Sequence, residues 1–137
     1  MLTRSQREVI ERFSGRYDGP ETMTRADVTT DVLGFPLAQG YTTRAQVDRL
    51  GRALRLQPGA RALDVGAGAG WPSLYLAATT GADIVLTDVP RPAVEVAVRR
   101  ARETGVNERC QFARASGTHL PFRARSFDAV LHTDVLC

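Results

Sequence analysis

The chain has 137 residues, 43% of them hydrophobic and 24% charged, which suffices for one buried core. No apolar run reaches the roughly 18 residues of a membrane span, and the charged start lacks the apolar stretch of a secretory signal, so a cytoplasmic protein is expected. The net charge of +3 rests on 18 scattered arginines with no lysine and no aromatic-interleaved basic stripe, so nucleic acid is not an expected partner. Cys110 and Cys137 stand in no metal or disulfide spacing, and Cys110 is expected to be a small buried residue.

In chain order, Ser5 and Glu8 have capping-box spacing ahead of Val9, Ile10 and Phe13, which predicts a short helix broken by Gly15, Gly19 and Pro20. A second helix is expected from Thr24 to Leu33, despite the poor propensity of Val28, Thr29 and Thr30, with Gly34 and Pro36 as its stop. Thr43 and Gln46 repeat the capping pattern before a third helix, where Val47, Leu50 and Leu54 share one face. Pro58 and Gly59 turn the chain into a first strand over 61–65.

That strand runs into Asp64, Val65, Gly66, Ala67, Gly68, Ala69 and Gly70, glycine standing at every second position. Pro72 suits the first position of the next helix and Gly81 its C-cap. Strand two, 83–87, ends at Asp88. Pro92 opens a further helix, with Val94, Ala97, Val98 and Ala101 toward the sheet, Glu95 paired with Arg99, and Gly105 as its end. Strands three and four are expected over 109–113 and 128–132. Strands alternating with helices imply right-handed βαβ units, hence an α/β, Rossmann-like parallel sheet with flanking helices.

The glycine loop lets backbone approach a ligand closely, and an acid at the tip of the next strand can accept both hydroxyls of a ribose. A dinucleotide fingerprint starting at Gly66 and Gly68 would need its third glycine where Trp71 stands. Asp64, two residues ahead of the first glycine, is also unhelpful to a pyrophosphate. It suits a ligand with an ammonium group, so a nicotinamide cofactor becomes the minor reading.

The run from Leu63 to Gly70, the acid Asp88, and the stretch from Leu120 through Pro121, Phe122, Phe127 and Asp128 to Val130 together resemble the class I S-adenosylmethionine-dependent methyltransferases of the small-molecule branch. The resemblance covers about residues 41–137, leaving 1–40 as an N-terminal helical segment. It implies S-adenosyl-L-methionine as cofactor, with Asp64, Gly66, Ala67, Gly68 and Gly70 at the methionine part, Asp88 at the ribose and Val89 against the adenine. Ser116 stands where the family often has an adenine-contacting aspartate, and a serine hydroxyl accepts that bond without a full charge. His132, Thr133 and Asp134 would lie near the transferring methyl, with His132 among the cofactor contacts. The Asn-Pro-Pro-Tyr tetrad of some amino-group methyltransferases is absent, which argues against an adenine or glutamine nitrogen as acceptor.

The resemblance further implies the strand order 3-2-1-4 and a chain incomplete after strand four, whose bare edge would take a second copy or a complementing chain. Neither metal nor membrane is expected to take part. Three readings stay open: a methyltransferase acting on a small molecule, a fragment that at most binds the cofactor, and a nicotinamide-binding module. Trp71 is expected to pack rather than react, His119 to be solvated, and Thr43 to cap its helix, although Tyr41 and Thr43 could reach the methionine carboxylate.

Overall fold

The computed structural model describes residues 4–14 and 42–135. Its centre is β1 (Arg61–Val65), flanked on one side by β2 (Asp83–Asp88) and β3 (Cys110–Arg114) and on the other by β4 (Ala129–Leu131). The order is β3-β2-β1-β4 and every pair is parallel, as the resemblance implied. Continuous burial of Ala62, Leu63 and Asp64 in β1 and of Ile84 to Thr87 in β2 marks strands covered on both faces, the usual state of a parallel sheet. Val65 stands opposite Thr87, Asp88 opposite Arg114 and Asp64 opposite Leu131, so the carboxyl ends of the strands share one rim.

Four α-helices accompany the sheet among the described residues: α1 (Arg4–Ser14), α2 (Arg44–Ala53), α3 (Ser73–Thr80) and α4 (Arg91–Glu103). The Thr43 and Gln46 capping box forms as expected, the Thr43 hydroxyl accepting from Gln46 N and the Gln46 side chain accepting from Thr43 N at 2.8 Å. α2 then lies close on α3, since a Cβ on Gly51 would stand 3.0 Å from Leu76 Cδ2. Leu76, only 1% exposed, is one of the largest side chains of the core, and such burial contributes about 1.5–3 kcal/mol. Arg44 lies over the Tyr75 ring and donates to its hydroxyl, which donates in turn to Asp48 at 2.7 Å, joining α2 to α3 a second time.

Several local expectations are corrected. α1 begins one residue ahead of Ser5, so Ser5 lies within the helix rather than capping it. The helix expected over 24–33 lies outside the described residues. Pro72 is the N-cap of α3 rather than its first residue, while Gly81 caps the other end in the left-handed conformation at φ 72°. β2 runs one residue further, to Asp88, β3 starts one later, at Cys110, and β4 is shorter, Ala129–Leu131.

On α4 the buried face is Ala93, Val96, Ala97, Arg100 and Ala101, with Val94 and Val98 only half-buried. Alanines four apart let the helix approach the sheet more closely than a valine ridge would, which rotates the expected face. Glu95 pairs with Arg91 at 2.7 Å and Arg99 with Glu103 at 3.8 Å, in place of the expected Glu95 to Arg99 pair. Both pairs are exposed and contribute little. Cys110 is buried as expected, which pushes its thiol up to about 11. No described helix is long and apolar enough to cross a membrane.

Candidate functional site at the carboxyl rim of the sheet

Where β1 ends the backbone folds into a tight loop held by β2. The amides of Gly66 and Ala67 both donate to Thr87 O, at 2.8 and 3.0 Å, and Thr87 Oγ1 donates to Asp64 O at 2.9 Å. Gly70 N donates to Ala67 O at 2.9 Å and closes the turn. Gly66, Gly68 and Gly70 have φ of 78°, 53° and 102°, a region strained for any residue with a Cβ. Protein atoms, and not ligand approach alone, demand glycine here. A Cβ on Gly66 would meet Val135 Cγ2 at 2.7 Å, and one on Gly70 would meet Leu74 Cδ1 at 2.6 Å.

Two carboxylates flank this loop. Asp88, half-buried at the tip of β2, accepts from Gly68 N at 2.7 Å through Oδ2 and from Val89 N at 2.7 Å through Oδ1. Burial raises its pKa above the ordinary carboxylate value, and the two amides oppose the rise. Asp64 is 1% exposed, and Ser73 Oγ donates to its Oδ2 at 2.6 Å. Its Oδ1 is buried without a hydrogen-bond partner. Burial pushes Asp64 up to about 7, with the Ser73 bond lowering it and the Asp88 charge raising it further.

A buried acceptor without a donor costs free energy that a ligand donor can recover. These two acceptors therefore fit a ligand with one cationic group and one pair of hydroxyls. An ammonium would answer the orphaned Asp64 oxygen, and ribose hydroxyls the remaining lone pairs of Asp88.

The other expected residues fall on the same rim. Val89 is half-buried beside Asp88 and its carbonyl accepts from Arg114 Nε at 3.2 Å. Ala115 N donates to Asp88 O at 3.1 Å, which places Ser116 next to the site. The Ser116 hydroxyl already accepts from Thr118 N at 3.3 Å and lies 2.9 Å from Thr118 Oγ1, a local turn that occupies part of its acceptor capacity. His132 is exposed just past β4 and belongs to the rim by position alone. His119 is exposed, with Nδ1 against Thr118 Oγ1 at 2.9 Å. Trp71 packs as expected, 6% exposed, tilted against Tyr75 and donating from Nε1 to Thr42 O at 3.0 Å. Tyr41 lies outside the described residues.

Sequence reasoning missed four participants: Thr87, Ser73, Thr42 and Val135. Thr87 carried a signal, a hydroxyl residue inside an apolar strand directly ahead of the acid. Ser73 carried none beyond its place after Pro72. Thr42 and Val135 meet the site only through the fold: Thr42 donates from N and Oγ1 to Asp134 Oδ2, at 3.3 and 3.0 Å, and so joins the segment before α2 to the loop after β4.

A cavity of about 500 Å³ lies away from this rim, lined by Asp48, Arg52, Arg55, Leu56, Thr79 and Thr80 among others. It sits where α2 and α3 both end, so its arginines complement the negative ends of two helices. Among the described residues no cluster of three or more His, Cys, Asp or Glu could hold a metal ion.

Residues 62–137 match the family model described as a methyltransferase domain. Methyltransferase GfsG of Streptomyces halstedii is 34% identical over 123 residues, covering 83% of this chain and 44% of its own length. The 27-O-demethylrifamycin SV methyltransferase of Amycolatopsis mediterranei is 35% identical over 118 residues, covering 77% of this chain and 42% of its own. A solved SAM-dependent methyltransferase from Geobacter sulfurreducens, in complex with S-adenosyl-L-homocysteine, aligns at TM-score 0.51 and 31% identity over 66% of this chain and 36% of that one. The chain thus spans less than half the length of the curated relatives it matches.

Proposed function

Because this chain belongs to the methyltransferase domain family, we propose that it binds S-adenosyl-L-methionine at the carboxyl rim and takes part in methyl transfer to a small-molecule acceptor. The observation that carries this reading is the pair of carboxylates around the glycine loop, Asp64 with an unpartnered buried oxygen and Asp88 at the tip of β2. When bound, the cofactor supplies a methyl carbon activated by its sulfonium, open to in-line displacement.

The chain's own contribution is alignment and exclusion of water, which need neither a metal nor an acid-base dyad. Asp88 fixes the ribose, Asp64 the ammonium, and Val89 and Ser116 the adenine. The Thr42 to Asp134 link ties the segment ahead of α2 to the loop after β4. His132, Thr133 and Asp134 stand nearest the acceptor side, where a base matters only if the acceptor must lose a proton. In this reading residues 41–137 form the cofactor-binding core, with α1 ahead of it. The outer edge of β4, with Val130 58% exposed, takes a further strand from a second copy or a complementing chain.

Calorimetric titration with S-adenosylhomocysteine against NADP tests the reading. Saturable heat with the first and none with the second is expected. The reverse would make the chain a nicotinamide-binding module, and heat from neither would leave a fragment that binds no cofactor.

A further inference from the structure

Arg100 is the one buried arginine among the described residues, 6% exposed on the face of α4 that packs toward the sheet. Its neighbours on that face, Ala93, Val96, Ala97 and Ala101, are small and apolar. A guanidinium taken out of water there costs several kcal/mol unless its donors are used, whereas an unbranched apolar side chain would fill the space without that cost. Its charged end reaches the glycine loop: Nη1 donates to Ala69 O at 3.3 Å. α4 also backs the next residue, since Ala97 Cβ lies 3.6 Å from where a Cβ on Gly70 would stand.

From this contact we infer that Arg100 is a positioning residue for the cofactor loop, holding the peptide between Ala69 and Gly70 in one orientation. The inference rests on the cofactor reading given above. Ala69 lies between two glycines with φ of 53° and 102°, so the backbone around it is free to flip in a way that flanking side chains would forbid. The peptide is pinned at both ends, its carbonyl by Arg100 and its N–H by Ala67 O at 2.9 Å. Without the guanidinium, one pin is gone and the Ala69 carbonyl can turn from α4 toward the ligand side. There its partial negative charge would oppose the carboxylate of a bound methionine moiety. Arg100 thus acts on the ligand through the backbone.

The test compares Arg100→Met and Arg100→Lys with the wild type by S-adenosylhomocysteine titration and by amide exchange. Arg100→Met should weaken binding about tenfold or more, the equivalent of one hydrogen bond to a charged group, with Arg100→Lys in between. The loop amides of Gly66, Ala67, Gly68 and Gly70 should exchange faster in Arg100→Met, while those of Ile84 and Leu86 in β2 keep their protection. A purely structural role would lower the melting temperature and speed exchange throughout the sheet without singling out the loop. Folded Arg100→Met with wild-type affinity and wild-type loop exchange would overturn the inference. If the wild type binds no S-adenosylhomocysteine, the functional reading falls and loop exchange alone decides the positioning role. If Arg100→Met does not fold, the wild type decides: the Arg100 guanidinium proton signals must shift when S-adenosylhomocysteine saturates the protein, and unmoved signals would refute the role.

Discussion

Binding of S-adenosylhomocysteine should release a proton from Asp64. In the free protein burial pushes this carboxyl up to about 7, and its Oδ1 has no donor. At pH 6 a group of that pKa is about nine-tenths protonated. An ammonium placed against Oδ1 favours the carboxylate and draws the pKa back toward the ordinary value near 4, so binding at pH 6 expels about 0.9 proton and at pH 8 only about 0.1. Affinity should accordingly rise by up to about tenfold per pH unit below 7 and level off above it, each tenfold being about 1.4 kcal/mol.

Calorimetry in two buffers of different ionisation enthalpy, at pH 6 and pH 8, counts the protons. The Asp64→Asn variant provides the subtraction, since it retains the loop but cannot titrate there. Equal proton release by wild type and Asp64→Asn at pH 6 would refute the assignment of Asp64 to the ammonium. The free protein carries the matching stability signature. A carboxyl whose folded pKa lies above its unfolded value of 3.8 holds more protons when folded, so its contribution is present at low pH and lost as pH rises from about 4 to about 7. The wild-type melting temperature should therefore fall from pH 5 to pH 8 by more than that of Asp64→Asn.

Asp88→Ala should weaken S-adenosylhomocysteine binding by about 1.5–3 kcal/mol, the range for hydrogen bonds to a charged group, and an unchanged dissociation constant in a folded variant would remove the ribose role. Gly66→Ala should destabilise the fold by about 1–2 kcal/mol from the left-handed backbone alone, with more from the contact with Val135. Val135→Ala should recover part of that loss, so equal costs in the two backgrounds, measured by denaturant unfolding, would acquit Val135. Val130→Lys should reduce self-association through the outer edge of β4, measured by light scattering against concentration, and a wild type that stays monomeric throughout would remove that edge as an interface.

Much of the fold was legible because its signals are local. The capping box of Thr43 and Gln46, the left-handed stop at Gly81, and the apolar runs of β1 and β2 each depend on residues within a turn or two of one another. The glycine spacing and Asp88 marked the rim for the same reason: a strand end and a tight turn are encoded where they occur. Partners chosen among several equivalent candidates were not legible. Glu95 had arginines four residues away on both sides, and the helix joined it to Arg91 rather than Arg99. The face of α4 followed its alanines instead of Val94 and Val98, because closeness of approach to the sheet outweighed side-chain bulk.

Within the site, residue types were readable and their partners were not. Gly66 was legible as a glycine the loop requires, yet the group that crowds it, Val135, comes after β4 along the chain, and only the pairing of β4 with β1 brings the two together. Asp64 was legible as an acid beside the loop. That one of its oxygens bonds Ser73 while the other is left without a donor is decided by how α3 closes over the strand. Arg100 looked like one of 18 arginines until α4 packed it beneath Ala69. Hydrogen bonding and hydrophobic period along one segment are written in the sequence, whereas burial depends on what every other segment leaves exposed, and burial gives Asp64 and Arg100 their chemistry.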